Sequence, residues 1–193
     1  TPIPRTGDLE SALGNLFADA QRETTGADVA INNNVRGGLR ADLPAGPLTF
    51  GSLYDVFPFD NRVLTVTVTG GVLARALLAE VRTNRRGALG LSGVRVQVRC
   101  ENRELRADLT RPTGEPIRAD EALRVTTMES LVQRGLFAPA IGRGIDVPAD
   151  APVMRELVEG WLRNRGGHLA AGEFTRAPRW VYVDSDPSSC EAP

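Results

Sequence analysis

The sequence predicts an α+β domain with α/β-like layers, a single mixed β-sheet flanked by helices. Three observations predict it. Stretches of helical period alternate along the chain with runs rich in β-branched residues, so helices and strands must share layers. Neither an internal repeat nor a low-complexity linker interrupts them. A length of 193 residues, 41% hydrophobic and 24% charged, suits one globular domain with a substantial core. We assign residues 1–184 to this domain and residues 185–193 to a polar C-terminal tail.

Leu9 to Arg22 reads as the first helix, with Asp8 as N-cap and Leu13, Leu16, Phe17 and Ala20 lining one face. After a break at Thr24 to Gly26, Asp28 to Ile31 is a short buried strand. It delivers the chain into a loop rich in asparagine, glycine and arginine. Pro47 to Tyr54 carries an entry strand and a helical turn, which Pro58 breaks, leaving Phe59 extended or in a turn. Arg62 to Thr69 is a strand, and Gly70 and Gly71 open a helix that places Leu73, Ala76, Leu77 and Val81 on one face. Arg85, Arg86 and Gly87 suit its C-terminal end.

Val94, Val96 and Val98 then alternate with Arg95, Gln97 and Arg99, predicting a strand with one solvated face. Leu105 to Leu109 and Ala122 to Met128 are further strands. Leu131 to Phe137 includes a helical turn, and Pro139 to Pro148 is a surface loop. Ala151 to Arg165 is the last clear helix, with Met154, Leu157, Val158, Trp161 and Leu162 on one face and Pro152 in its first turn. Arg179 to Val183 closes the domain as a strand.

Composition narrows the chemistry. The net charge of -1 supplies no global basic field, which argues against a nucleic-acid or membrane-surface binder. All 23 basic residues are arginine, so Schiff-base and phosphate-loop lysines are excluded; codon usage accounts for most of the bias. No apolar run approaches the roughly 18 residues that span a bilayer. Cys100 and Cys190 lie far apart without CxxC spacing, which disfavours zinc and leaves open either a disulfide or two free thiols. The single histidine, His168, follows two glycines after a helix, a setting for a surface role rather than catalysis. A multi-histidine metal site cannot be built from this chain. The chain opens on Thr1 rather than methionine, and we read it as a mature form or a fragment with sequence missing upstream.

The run from Ile31 to Arg62 carries the recognition chemistry. Asn32, Asn33, Asn34, Gly37 and Gly38 tolerate tight, left-handed turns that bring backbone N–H groups close to a ligand. Arg36 and Arg40 bracket the two glycines as permanently charged forks suited to phosphate or carboxylate. Phe59 offers a platform for a planar group. The competing interpretation is a surface loop with solvated arginines and a buried phenylalanine.

These residues sit inside a longer pattern: ESALGNLFADA (Glu10 to Ala20), GADVAINN, GGLRADLPAGPLTFGSLYDVFPFDN (Gly37 to Asn61), VTVTG (Val66 to Gly70) and EPIRADEALRVTT (Glu115 to Thr127). In order and spacing the pattern resembles the C-terminal domain of 5′-nucleotidases and the related UDP-sugar hydrolases. The resemblance implies a division of labour. An N-terminal calcineurin-like metallophosphoesterase domain, absent from this chain, holds a divalent metal pair and hydrolyses the phosphoester. The C-terminal domain, with no cofactor of its own, grips a nucleotide or other small phosphoester. It also implies nucleotide catabolism in a periplasmic or extracellular setting.

Residue by residue, Arg40 matches the arginine that ends the family's Asn-Gly-Gly-Gly-Ile-Arg loop and contacts substrate phosphate, and Phe59 matches the first aromatic of the clamp on the base. Asn34 corresponds most nearly to the loop asparagine that contacts the base. The loop here is one position longer, with Val35 and Arg36 in place of plain glycine. A further family arginine would fall at Gly7, with Arg5 the nearest candidate. The second clamp, an Asn-Phe/Tyr-Leu-Ala-x-Gly-Gly-Asp segment in the family, is MESLVQRGL here, with Ser130 in place of the aromatic and Leu136 in place of the aspartate. One lost stacking face is worth about 1–3 kcal/mol. That departure gives a second expectation, a degenerate binding or interaction module that keeps the fold without the base clamp.

Overall fold

The first helix, α1, spans Ala12–Thr25 in the computed structural model, which describes residues 1–6, 10–34, 38–83, 89–137, 147–166, 168–183 and 190. It starts later than the apolar spacing predicts. Ser11 is the N-cap, its Oγ accepting from the Gly14 N–H at 2.9 Å, and Gly26 ends the helix at φ 62° in the left-handed region. The predicted cap, Asp8, lies outside the described residues. Leu13, Leu16, Phe17 and Ala20 are all buried, as their spacing requires.

Strand β1 (Val29–Asn33) is buried along its whole length because both faces are covered. It pairs parallel with β6 (Ala122–Met128) and antiparallel with β3 (Leu89–Ser92). β2 (Val63–Thr69) pairs antiparallel with β6, giving a four-stranded mixed sheet in the order β2-β6-β1-β3. β3 is absent from the sequence reading. Its Leu-Gly-Leu-Ser sequence has no β-branched residue, and a side chain at Gly90 would put a Cβ 2.2 Å from the Gly14 carbonyl oxygen of α1.

The expected single sheet is thus divided in two, both of mixed pairing. β4 (Arg95–Glu101) and β5 (Glu104–Thr110) form a hairpin, and β4 takes β7 (Trp180–Tyr182) as its parallel neighbour instead of joining the larger sheet. Val96 and Val98 face the core while Gln97 is exposed and Arg99 reaches Asp108 at 2.5 Å across the hairpin, so one face is solvated as predicted.

Two cores lie on opposite faces of the four-stranded sheet. One is shared by helix α3 (Gly70–Thr83), the small sheet and one face of β1, with Val29, Ile31, Leu73, Leu77, Val96 and Trp180 among its members. The other is built by α1, the short helix α2 (Phe50–Val56) and α5 (Met154–Arg165), with Phe17, Phe57, Met128 and Met154 at its centre. A one-turn helix α4 (Glu129–Gln133) follows β6 directly.

No strand leads into α2. Residues 47–49 are irregular, and Thr49 caps the helix in a reciprocal arrangement with Ser52. α5 starts at Met154 rather than Ala151 because the preceding residues bond to the sheet edge: the Pro152 carbonyl accepts from Val63 N–H and the Asn61 carbonyl from Met154 N–H, both at 2.9 Å. The expected helix end at Arg85 to Gly87 falls outside the described residues, as does most of the loop read over residues 139–148.

Cys100 and Cys190 form a disulfide, and Cys190 is buried in the first core, so this point of the tail is fastened to β4. Arg179 binds β7 to the larger sheet: its guanidinium meets both carboxylate oxygens of Asp19 in α1, the Asn15 carbonyl and the Leu91 carbonyl of β3.

Candidate ligand-recognition site

β1 and β6 run parallel, so their C-terminal ends, with the N-terminal end of the antiparallel β2, meet at one edge of the larger sheet. Three connections leave from that edge: the loop after Asn33, the segment Phe57–Asn61 before β2, and the start of α4. Crevices at the C-terminal ends of parallel strands are common ligand sites in α/β folds.

Arg40 is fixed at its backbone, where its N–H donates to the Val56 carbonyl at 2.8 Å, while its side chain is exposed. The guanidinium lies over the Phe59 ring, 5.1 Å from its centroid, a contact worth about 0.5–1 kcal/mol at an exposed site. Among the described residues Arg40 has no carboxylate partner. Its N–H groups therefore remain free for an anion. The Arg5 guanidinium donates to the Leu39 carbonyl at 3.3 Å, bringing a second cation to the residue before Arg40.

Phe59 is half-buried. Its ring meets Phe57 edge-on at 5.5 Å, and Phe57 packs at 5.7 Å on Phe17 of α1, so the platform is continuous with the second core. The backbone of this segment is held by Arg155 of α5, whose Nη1 donates to the Phe57 and Phe59 carbonyls at 3.3 and 3.2 Å and whose Nη2 donates to Asp60 at 2.7 Å. Arg155 is 8% exposed and lies over the Tyr54 ring at 4.9 Å. Sequence reasoning does not find this residue. The only signal is a charge embedded in the apolar face of α5, next to Met154 and one turn before Val158.

Gly38 is needed as glycine, since a Cβ there would sit 1.9 Å from the Asn33 carbonyl oxygen. Asn34 is turned inward. It is 2% exposed, its Oδ1 accepts from Asn32 at 3.2 Å, and it rests against Gly14 of α1, where a Cβ would approach it within 2.1 Å. Asn34, Gly38, Arg40 and Phe59 thus belong to one sheet edge, with Arg40 and Phe59 in direct contact. Arg36 and Gly37 lie outside the described residues. Ser130 is the second residue of α4, after the C-terminal end of β6, and Leu136 is buried in the first core. His168 is exposed and lines a separate groove of about 940 Å³ beside α2 and α5, together with Leu43, Phe50 and Leu162; the groove includes neither Arg40 nor Phe59. Among the described residues no group of three or more His, Cys, Asp or Glu side chains could hold a metal ion.

Residues 3–136 match the family model described as 5'-nucleotidase, C-terminal domain. The chain belongs to this family. Its curated relatives include the cell wall protein Lmo0130 of Listeria monocytogenes, 32% identical over 143 residues, which takes in 66% of this chain and 18% of the relative. The trifunctional nucleotide phosphoesterase protein YfkN of Bacillus subtilis is 30% identical over 131 residues, 61% of this chain and 9% of that protein. The chain therefore spans less than a fifth of either relative. Among solved structures, a 5'-nucleotidase precursor from Thermus thermophilus shares the fold with a TM-score of 0.67 at 22% identity, covering 96% of this chain and 38% of that one. The sulfate thiohydrolase SoxB of the same organism does so with a TM-score of 0.68 at 16% identity, covering 95% and 34%.

Proposed function

We propose that this chain is the substrate-recognition half of a 5′-nucleotidase-type metallophosphoesterase, with Arg40 as the anion contact and Phe59 as the wall for the organic group. The observation that carries the proposal is the exposed Arg40 guanidinium, without a carboxylate partner among the described residues, seated on the Phe59 ring at the C-terminal edge of a parallel strand pair. A phosphoester bound there keeps its charge on the arginine and its apolar surface on the ring. The ligand is a nucleotide or a related small phosphoester, and the protein serves nucleotide catabolism. The described residues do not fit a divalent metal pair, so phosphoester cleavage is assigned to a separate metal-bearing domain and no hydrolytic step to these side chains.

An exported setting, periplasmic or extracellular, is supported by the cell wall relative and by the Cys100–Cys190 disulfide, which persists in oxidising compartments. No helix among the described residues is long and apolar enough to cross a membrane. A second reading, a non-catalytic module of the same fold, is favoured by Ser130 and the buried Leu136 in place of the second clamp.

Calorimetric titration with AMP, adenosine and UDP-glucose at low salt tests the proposal. The expected result is binding of at least one phosphoester, weakened about 10-fold or more by Arg40→Ala, in keeping with loss of a charge-assisted contact. Phosphoester binding that is indifferent to both Arg40→Ala and Phe59→Ala would reject this site, and silence with every ligand would favour the non-catalytic module.

A further inference from the structure

Phe59 sits in a segment that no regular structure holds. Residues 57–61 are neither helix nor strand, and Pro58, between the two phenylalanines, has no N–H to give. The first turn of α5 takes the place of a strand neighbour. Met154 N–H donates to the Asn61 carbonyl at 2.9 Å, and the next residue, Arg155, reaches the Phe57 and Phe59 carbonyls at 3.3 and 3.2 Å and the Asp60 carboxylate at 2.7 Å. Phe57, Phe59, Asp60 and Asn61 are thus fastened by two consecutive residues of one helix.

Fold stability by itself does not call for an arginine at this position. The residue is buried, and burial strips a guanidinium of its water. It is the second residue of α5, where the aligned peptide dipoles disfavour a cation. Its Nε is buried without a partner among the described residues. Three unfavourable features meet in one side chain, and what they deliver is a rigid planar fork, which lysine does not copy, set against the two carbonyls on either side of Pro58. The fork also lies over two exposed rings of α2, Tyr54 at 4.9 Å and Phe50 at 5.9 Å, so it links α2 to the platform segment.

We propose that Arg155 is a positioning residue for ligand recognition, setting where the Phe59 ring stands and so how strongly the site distinguishes a ring-bearing phosphoester from a ring-free one; this rests on the reading of Phe59 as the wall for the organic group. The ring is caught between Phe57, which meets it edge-on, and Arg40, whose guanidinium lies over it. With the Phe59 carbonyl fastened as well, the ring is ordered before a ligand arrives, and binding does not have to order it. A looser ring gives up contact with the planar group of the ligand. Arg40, held separately through its own N–H on Val56, keeps its place for the phosphate.

The test is calorimetric titration of the 193-residue chain with AMP, UDP-glucose and the ring-free glycerol 3-phosphate, in the unaltered protein and in Arg155→Lys, Tyr54→Ala, Phe59→Ala and Arg155→Lys combined with Phe59→Ala. Lysine keeps the charge and the stem but not the fork. Arg155→Lys is expected to weaken the ring-bearing ligands about 3- to 10-fold, a share of one stacking contact, and glycerol 3-phosphate by less than about 2-fold. Tyr54→Ala, an exposed substitution that takes away the ring under the guanidinium, should act in the same direction by about 2-fold. In the Phe59→Ala background Arg155→Lys should add nothing, because a residue that acts through the ring has no effect without it. A purely structural role predicts instead that all three ligands weaken equally and that the two substitutions add. That pattern, or ring-bearing ligands that respond to Phe59→Ala but to neither Arg155→Lys nor Tyr54→Ala, overturns the positioning role and leaves Phe59 as the wall. Ring-bearing ligands that do not bind, or that are unmoved by Phe59→Ala, remove the wall and the positioning role together.

Discussion

Replacing Arg155 by alanine should destabilise the protein by about 3–5 kcal/mol, far more than any surface arginine. The magnitude follows from what the guanidinium touches. It supplies charged donors to two backbone carbonyls, Phe57 and Phe59, and such bonds are worth about 1.5–3 kcal/mol each. Phe57 is fully buried, so water cannot simply take over as donor to its backbone. The Tyr54 ring contact adds about 0.5–1 kcal/mol. The ion pair with Asp60 adds little, because the Asp60 side chain is 79% exposed and such pairs are worth about 0–1 kcal/mol. Urea unfolding followed by the fluorescence of Trp161 and Trp180 would report the loss, equivalent to a fall in melting temperature of roughly 10 °C. Asp60→Asn is the control and should cost below about 1 kcal/mol. A loss below about 1.5 kcal/mol for Arg155→Ala, or an equal loss for both variants, would refute the view that Arg155 acts by holding the Phe57–Phe59 backbone.

Three other outcomes are expected. The Cys100–Cys190 disulfide joins residues 90 apart in sequence, so the chain-entropy argument gives about 4–5 kcal/mol and measured cases suggest about 2–4; the double variant Cys100→Ala with Cys190→Ala should lower the urea midpoint accordingly, and a loss under about 1 kcal/mol would contradict it. Gly38→Ala should weaken phosphoester binding at least as strongly as it lowers stability, since its Cβ strikes the Asn33 carbonyl that precedes the loop; unchanged affinity in a folded variant would separate this turn from recognition. The hydrogen bond from Arg118 holds the Asp120 carboxyl below the ordinary aspartate value. A lowered folded-state value stabilises above the unfolded value and is lost as pH falls through the folded one. Both groups are fully exposed, so an NMR titration should show the low midpoint and its return in Arg118→Ala with no visible change in unfolding.

Legibility varied with how much local chemistry each element carries. β6 and the start of α3 match the sequence reading because a β-branched run and a Gly-Gly opening leave few alternatives. β3 was illegible: it is a strand only because Gly90 lets it lie against Gly14, a contact between residues distant in the chain. The start of α1 shifted because Ser11 competes with upstream residues as a cap, and that of α5 because sheet bonds hold the residues before it. The pairing of Cys100 with Cys190 depended on a β4–β7 alignment that no spacing rule contains. At the site, Arg40 and Phe59 were legible as types suited to anion and ring. Their contact was not, nor was Arg155, because a lone arginine on an apolar helix face declares no partner.

The strand order β2-β6-β1-β3 has a consequence for the making of the protein. In the larger sheet β2 pairs with β6 alone, and β6 lies between β2 and β1, so β1 and β2 cannot enter one sheet until residue 128 has been synthesised. β7 is later still, and Arg179 must reach back to Asp19 and Asn15 across most of the chain. Contacts so distant in sequence close slowly, because the intervening chain loses its freedom first. During translation the N-terminal half therefore waits with β2 unpaired, exposing a Thr- and Val-rich edge of the kind that aggregates. Truncations ending before β6 should accordingly be insoluble.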